Sequence, residues 1–187
     1  MKNLLVIISF FSVFACQSTI EKKEQKQTPL LVTESVTTEN ETILLGQINR
    51  ANLLTTPYTQ WFIKEYDFYT VPTGWATNLK SKMEGVSIKI FMGTWCEDTQ
   101  RELGGMFKLL DALEFDESIL EMYSLSEYKD SPSGIEKPYN ITNIPTLIFF
   151  KNGVEMNRIV EISVSTLDID IAKILMEEPY KNAYYQE

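Results

Sequence analysis

The spacing of apolar residues changes several times along the chain, and each change marks an element. After Thr56-Pro57, where Thr suits an N-cap and Pro the first helical position, Tyr58, Trp61, Phe62 and Tyr66 fall on one helical face. Trp75, Leu79 and Met83 predict a second short helix ending at Gly85. The period then drops to two. Val86, Ile88, Ile90 and Met92 alternate along a strand, with Phe91 and the stem of Lys89 on its other face. Gly93 ends that strand, and a helix beginning near Cys96 carries Leu103, Met106, Phe107, Leu110 and Leu113. Residues 119–125 read as another strand and residues 126–140 as a polar loop around Ser-Pro-Ser-Gly. The run Thr146-Leu147-Ile148-Phe149-Phe150 suits the centre of a sheet covered on both sides. Asn152-Gly153 predicts a two-residue hairpin whose second strand, 154–162, returns antiparallel. Ser165 with Asp168 forms a capping-box pattern before a last helix bearing Leu167, Ile171, Ile174 and Leu175, which Pro179 stops. This order predicts an α/β sandwich with a central mixed sheet.

The segment ahead of these elements follows different rules. Lys2, an apolar run from Leu4 to Phe14 broken by Ser9 and Ser12, and the small Ala15 before Cys16 predict a signal peptide over residues 1–15. The run falls short of the ~20 apolar residues of a membrane-spanning helix. Val13-Phe14-Ala15-Cys16 resembles a bacterial lipobox, which implies that Cys16 is lipidated and becomes the mature N-terminus. Gln17 after it favours the outer membrane of a two-membrane bacterium, by resemblance to the sorting rules there. Residues 17–40 hold no aromatic residue and no glycine and are rich in Gln, Glu, Lys, Ser and Thr, too polar to offset their ordering entropy. The expected organisation is thus a lipidated N-terminus and flexible linker over 16–40 and one folded domain over 41–187. The protein is expected outside the cytoplasm, held to a membrane by its lipid.

Composition narrows the chemistry. The 187 residues include no histidine and two cysteines, which excludes Ser-His-Asp and Cys-His catalysis, His-containing zinc sites and a Cys₄ site. A net charge of −9, from 17 basic against 26 acidic side chains, argues against nucleic acid as a partner. No metal or cofactor is expected. Cysteine chemistry, carboxylate chemistry or binding without chemistry remain.

Cys96 is the strongest candidate. It lies where a strand hands over to a helix, and the unpaired N–H groups and positive dipole end of a helix N-terminus favour an anion there. Thr99, three residues on, can turn its hydroxyl to the sulfur on the same helix face. Glu97 and Asp98 act against a thiolate and Arg101 partly offsets them, so a moderately activated thiol is expected. Glu97 and Asp98 do not face each other on a helix and read as a solvated pair rather than an acid-base couple. The aromatic set Tyr58, Trp61, Phe62, Tyr66, Phe68, Tyr69 and Trp75 has helical spacing and reads as core rather than a ligand platform.

Three stretches in order, GTWCEDTQ after a strand, Ile144-Pro145-Thr146 before a strand, and FFKNG at a hairpin, resemble the thioredoxin-like superfamily over residues 86–178. The resemblance implies a thioredoxin-like three-layer sandwich, Cys96 as nucleophile, Trp95 beside it, and a cis Pro145 facing the thiol. It also implies that Ile144 and Pro145 line the groove where an extended polypeptide binds. The departures are equally specific. Thr99 stands where the family has its second cysteine, Ile90 where it has a buried acid, and Gly104, followed by Gly105, where it has a kinking proline. The glycine pair is expected to be a kink site. Cys96 as a mere buried apolar filler is a third reading, disfavoured by the charged and polar residues around it; two functions follow. One is monothiol disulfide exchange through Cys96 on a cysteine-containing protein or small-thiol substrate. The other is a catalytically inactive thioredoxin-fold binding module.

Overall fold

The computed structural model describes residues 34–37 and 42–186. The expected signal peptide, Cys16 and most of the linker lie outside them. Six strands form one mixed sheet: β1 (Glu34–Thr37), β2 (Thr42–Ile48), β3 (Val86–Met92), β4 (Leu120–Ser124), β5 (Thr146–Lys151) and β6 (Val154–Val160). Their order across the sheet is β1-β2-β4-β3-β5-β6. Only β3 and β4 run parallel, with Ile90 opposite Met122, and the other four pairings are antiparallel. A parallel pair needs a crossover, and helix α4 (Glu97–Ala112) supplies it. The remaining helices are the single turn α1 (Arg50–Leu53), α2 (Thr59–Phe68), α3 (Trp75–Leu79) and α5 (Leu167–Leu175). The strand order and central crossover are those of an α/β thioredoxin-like fold. β1 lies within the stretch expected to be linker, and β2 forms from a segment with no alternating apolar pattern.

The alternation read along β3 sorts its residues onto two faces. Val86, Ile88, Ile90 and Met92 join the main core with Phe62 of α2, Leu103, Met106 and Phe107 of α4, and Ile171 and Leu175 of α5. Phe91 points the other way, into a second cluster with Cys96, Tyr123, Leu125, Ile144 and Ile148. Among the described residues no α-helix packs on that second cluster. Its cover is the segment between β4 and β5, a loop with a 3₁₀ turn at Lys137–Tyr139, which brings Ile135, Tyr139 and Ile141 against the cluster. The loop reads as polar because most of its residues are polar, yet three apolar residues suffice to form the third layer.

Several local expectations change. The Thr56-Pro57 bond is cis and α2 begins at Thr59, so Pro57 is not the first helical residue. Tyr58 is buried instead, its hydroxyl donating to the Thr42 carbonyl 3.1 Å away. Phe68 is not core: it is 83% exposed, whereas Tyr58 and Phe62 are buried and Trp61, Tyr66, Tyr69 and Trp75 pack on the core edge. The N-cap of α5 is Thr166, and the expected Ser165–Asp168 box does not form. Asp168 accepts from the Tyr69 hydroxyl at 3.0 Å, while the buried Asp170 reaches back to the N–H groups of Val164 (2.6 Å) and Ser165 (3.3 Å). The glycine pair does not break α4, which is continuous over 16 residues. A Cβ on Gly104 would lie 2.8 Å from the Phe62 carbonyl oxygen and the Glu65 carbonyl carbon, so glycine is there to let the α2 backbone approach.

Candidate functional site

At the end of β3 the chain turns through Gly93, Thr94 and Trp95, and Cys96 is the N-cap of α4 with extended backbone (φ −80°, ψ 121°). Hydrogen bonds pin the turn from several sides. Cys96 N–H donates to Gly93 O at 3.0 Å, and Gln100 Nε2 donates to Thr94 O at 2.8 Å. Leu44 N–H of β2 donates to the buried Thr94 hydroxyl at 3.2 Å, and Trp95 Nε1 donates to Leu125 O at 2.9 Å. Gly93 is needed beneath the indole, because a Cβ there would lie 2.6 Å from Trp95 Nε1. A loop held this way sets the Cys96 backbone before any ligand arrives.

Cys96 is 8% exposed, and its thiol donates to the Ile144 carbonyl 3.5 Å away. The Ile144-Pro145 peptide bond is cis. Strand β5 begins immediately afterwards, and the Thr146 hydroxyl donates to Asn143 O at 2.6 Å, closing the turn that presents the cis peptide. Trp95, Cys96, Ile144 and Pro145 therefore occupy one place, built by the ends of β3 and β5 and the start of α4. Thr99 is fully buried on the first turn of α4, and its hydrogen-bond partner is Gly93 N–H at 3.4 Å rather than the thiol. It secures the turn from below. Among the described residues Cys96 is the free cysteine; Cys16 lies outside them.

Charge around the site is acidic and mostly committed. Arg101 does not reach the thiol: it binds Asp98 at 2.6 Å and Glu102 at 3.0 Å, and those hydrogen bonds hold its guanidinium even more firmly charged than usual. Glu97 is exposed at the first helical position. On the covered face Phe91 stacks on Tyr123, centroids 5.5 Å apart, and packs on Tyr139 at 5.2 Å. Burial, then the hydrogen bond to Glu121, push the Tyr123 hydroxyl well above its ordinary range, so it is a neutral donor. Among the described residues no group of three or more Cys, Asp or Glu side chains could hold a metal ion, and no helix is long and apolar enough to cross a membrane.

The sequence did not single out Thr94, Gln100 or Leu125. Thr94 and Gln100 lie inside the GTWCEDTQ stretch, but their roles depend on contacts with β2 and the turn itself. Leu125 acts through its carbonyl, which no side-chain pattern reports.

No protein-family model matches the chain, and no curated protein matches it. Solved structures do. A protein of unknown function from Pseudomonas aeruginosa is 12% identical with a TM-score of 0.45, over 70% of this chain and 81% of that one. Thioredoxin O2 from Arabidopsis thaliana, in its oxidized state, is 21% identical with a TM-score of 0.35, over 60% of this chain and 95% of that one. Mitochondrial thioredoxin 3 from Saccharomyces cerevisiae, in its oxidized form, is 21% identical with a TM-score of 0.31, over 51% of this chain and 86% of that one.

Proposed function

We propose that this is an exported, lipid-anchored monothiol protein that exchanges disulfides through Cys96. The observation that supports it most is the seating of Cys96 at the N-cap of a long helix, 3.5 Å from the carbonyl of the cis Ile144-Pro145 peptide. The helix N-terminus offers unpaired N–H groups to an anion, and the cis peptide offers main-chain groups to an extended partner.

The chemistry follows from a single sulfur. The Cys96 thiolate attacks one sulfur of a substrate disulfide, RS–SR′, forming Cys96–S–S–R and releasing R′S⁻, which takes up a proton. Thr99 holds no thiol to resolve that adduct. Release therefore needs an external thiol, R″SH, which attacks sulfur, gives R–S–S–R″ and restores Cys96. Such a cycle shuffles disulfides or removes small-thiol adducts with no net oxidation of the protein. Trp95 and Pro145 would flank the substrate sulfur, and Ile144 would pair with the substrate backbone. Processing at Ala15-Cys16 would put the domain outside the cytoplasm on a lipid anchor.

One observation favours the second reading, an inactive binding module. Cys96 is 8% exposed and belongs to an apolar cluster covered by Ile135, Tyr139 and Ile141. Partner capture with wild type and Cys96→Ser separates the two. Exchange predicts partners released by dithiothreitol and lost in Cys96→Ser. Capture that is unchanged in Cys96→Ser and resistant to reductant refutes exchange and leaves the groove as the function.

A further inference from the structure

Strand β6 ends in a turn that is costly for the residue at its centre. Ile162 N–H donates to Val160 O at 2.8 Å across Glu161, whose φ is 61°. A hydrogen bond from residue i+2 back to residue i around a positive φ makes the rare and strained form of γ-turn. Glycine would hold that backbone at least cost, yet the position carries a glutamate. Strained residues of this kind persist where their surroundings over-determine them, and they gather at functional sites. Glu161 is held from two directions. Its N–H donates to Pro145 O at 2.7 Å, and its carboxylate accepts from Asn143 Nδ2 at 3.1 Å. Those two partners lie on either side of Ile144, whose carbonyl accepts from the Cys96 thiol at 3.5 Å. The second bond accounts for the side chain, because glycine would keep the N–H but lose the grip on Asn143.

We propose that Glu161 is a positioning residue for the thiol site, bracketing Ile144 so that its carbonyl stays on the Cys96 sulfur. Glu161 acts through Asn143 and Pro145. Hairpin register carries the effect: Thr146 pairs with Val160, so the strained turn sits opposite the turn that leads into β5. With the bracket closed, residues 143–145 offer one fixed main-chain conformation to an extended partner. With it open, the thiol loses its acceptor and the partner loses a pre-set edge. The role deepens the exchange reading by adding the residue that orders its groove, and its consequence for peptides rests on that reading.

The test measures two rates on Cys96, with the urea midpoint, in wild type, Glu161→Gly, Glu161→Ala, Glu161→Gln and Asn143→Ala. One rate is alkylation by iodoacetamide, which needs only a free sulfur. The other is adduct formation with a short extended peptide bearing a cysteine–thionitrobenzoate mixed disulfide, in which Cys96 takes the peptide sulfur and thionitrobenzoate leaves. Losing the bracket should raise alkylation about 2–3-fold, the worth of one weak hydrogen bond, and slow peptide adduct formation by a similar factor. Glu161→Gly should show both changes at a urea midpoint no lower than that of wild type, because relief of the backbone offsets the lost side-chain bond. Glu161→Ala should show them with a lower midpoint. Glu161→Gln keeps an acceptor for Asn143 and should restore both rates. Asn143→Ala combined with Glu161→Gly should add nothing to either alone. Rates in Glu161→Gly equal to wild type, or rates that follow the urea midpoint across the set, would overturn the role. If alkylation follows the expected pattern but neither wild type nor any variant forms the peptide adduct, the positioning stands and the exchange reading fails.

Discussion

Replacing Gly104 by alanine tests how the fold holds α4, and hence Cys96, in place. Intrinsic helix propensity alone favours the change by about 1 kcal/mol. The surroundings oppose it. The added methyl would lie 2.8 Å from both the Phe62 carbonyl oxygen and the Glu65 carbonyl carbon, and closer still to Tyr66 N. Comfortable contacts lie near 3.5–4.0 Å, so α2 has to retreat by about 1 Å, and a gap of that size forfeits a quarter to a half of each contact across the interface. All three neighbours are backbone atoms of one helix and cannot rotate away. Overpacking costs about 1–3 kcal/mol, and this site belongs at or beyond the upper end. Gly104→Ala should therefore destabilise by about 2 kcal/mol net. The fall in Tm should be on the order of 4–8 °C, and the urea midpoint should drop with little change in slope. Gly105→Ala is the control. Its methyl would meet Tyr69 Cδ2 at 2.5 Å and Cγ at 3.0 Å, so that side chain has to shift as a whole, at the cost of its 3.0 Å hydrogen bond to Asp168. A loss of about 1 kcal/mol or less is expected there. If Gly104→Ala equals or exceeds wild type in stability, the close α2–α4 approach is wrong.

Asp111 is desolvated by burial, but hydrogen bonds from Arg50 and Tyr66 outweigh that and hold its carboxyl below the ordinary range. A lowered carboxylate contributes stability above its unfolded value near pH 4, and that contribution disappears as pH falls through the folded value. Asp111→Asn should cost about 1 kcal/mol at pH 7, kept small because the side chain is 37% exposed, and should flatten the acid limb of the stability curve below about pH 4. A limb as steep as in wild type would contradict this. Trp95→Phe removes the 2.9 Å bond to Leu125 O and should cost about 1 kcal/mol by urea titration, with faster alkylation of Cys96 as the turn loosens. An unchanged alkylation rate would show that Trp95 does not restrain the thiol. Thr99→Cys supplies a resolving thiol one helical turn from Cys96, and mixed disulfides on Cys96 should then decay faster than in wild type. Equal lifetimes would show that the second position does not control release.

Periodicity located what periodicity can express. The alternation of β3, the apolar face of α4 and the Asn152-Gly153 turn all rest on local spacing, and the elements stand where that spacing puts them. β2 escaped because Ile43, Leu44 and Leu45 are consecutive and Gly46 interrupts the alternation with φ 91°. Pairing with β4 fixes that strand, and pairing is not local. Asp170 shows no local capping signal for the same reason, since it reaches back to Val164 and Ser165 from inside the helix. At the site, Cys96 was legible from its position at a strand-to-helix junction. Its burial was not, because the cover comes from Ile135, Tyr139 and Ile141, some forty residues away in a loop that reads as polar.

Intact-mass spectrometry of the purified protein after exposure to a peptide mixed disulfide at near-neutral pH tests the central proposal most directly, with peptide mapping to assign the modified sulfur. The account predicts one adduct on Cys96 that persists for want of a second thiol, is removed by dithiothreitol and is absent from Cys96→Ser. A folded wild-type protein that stays unmodified at every pH tested, while its urea-unfolded chain is modified at Cys96, would contradict it.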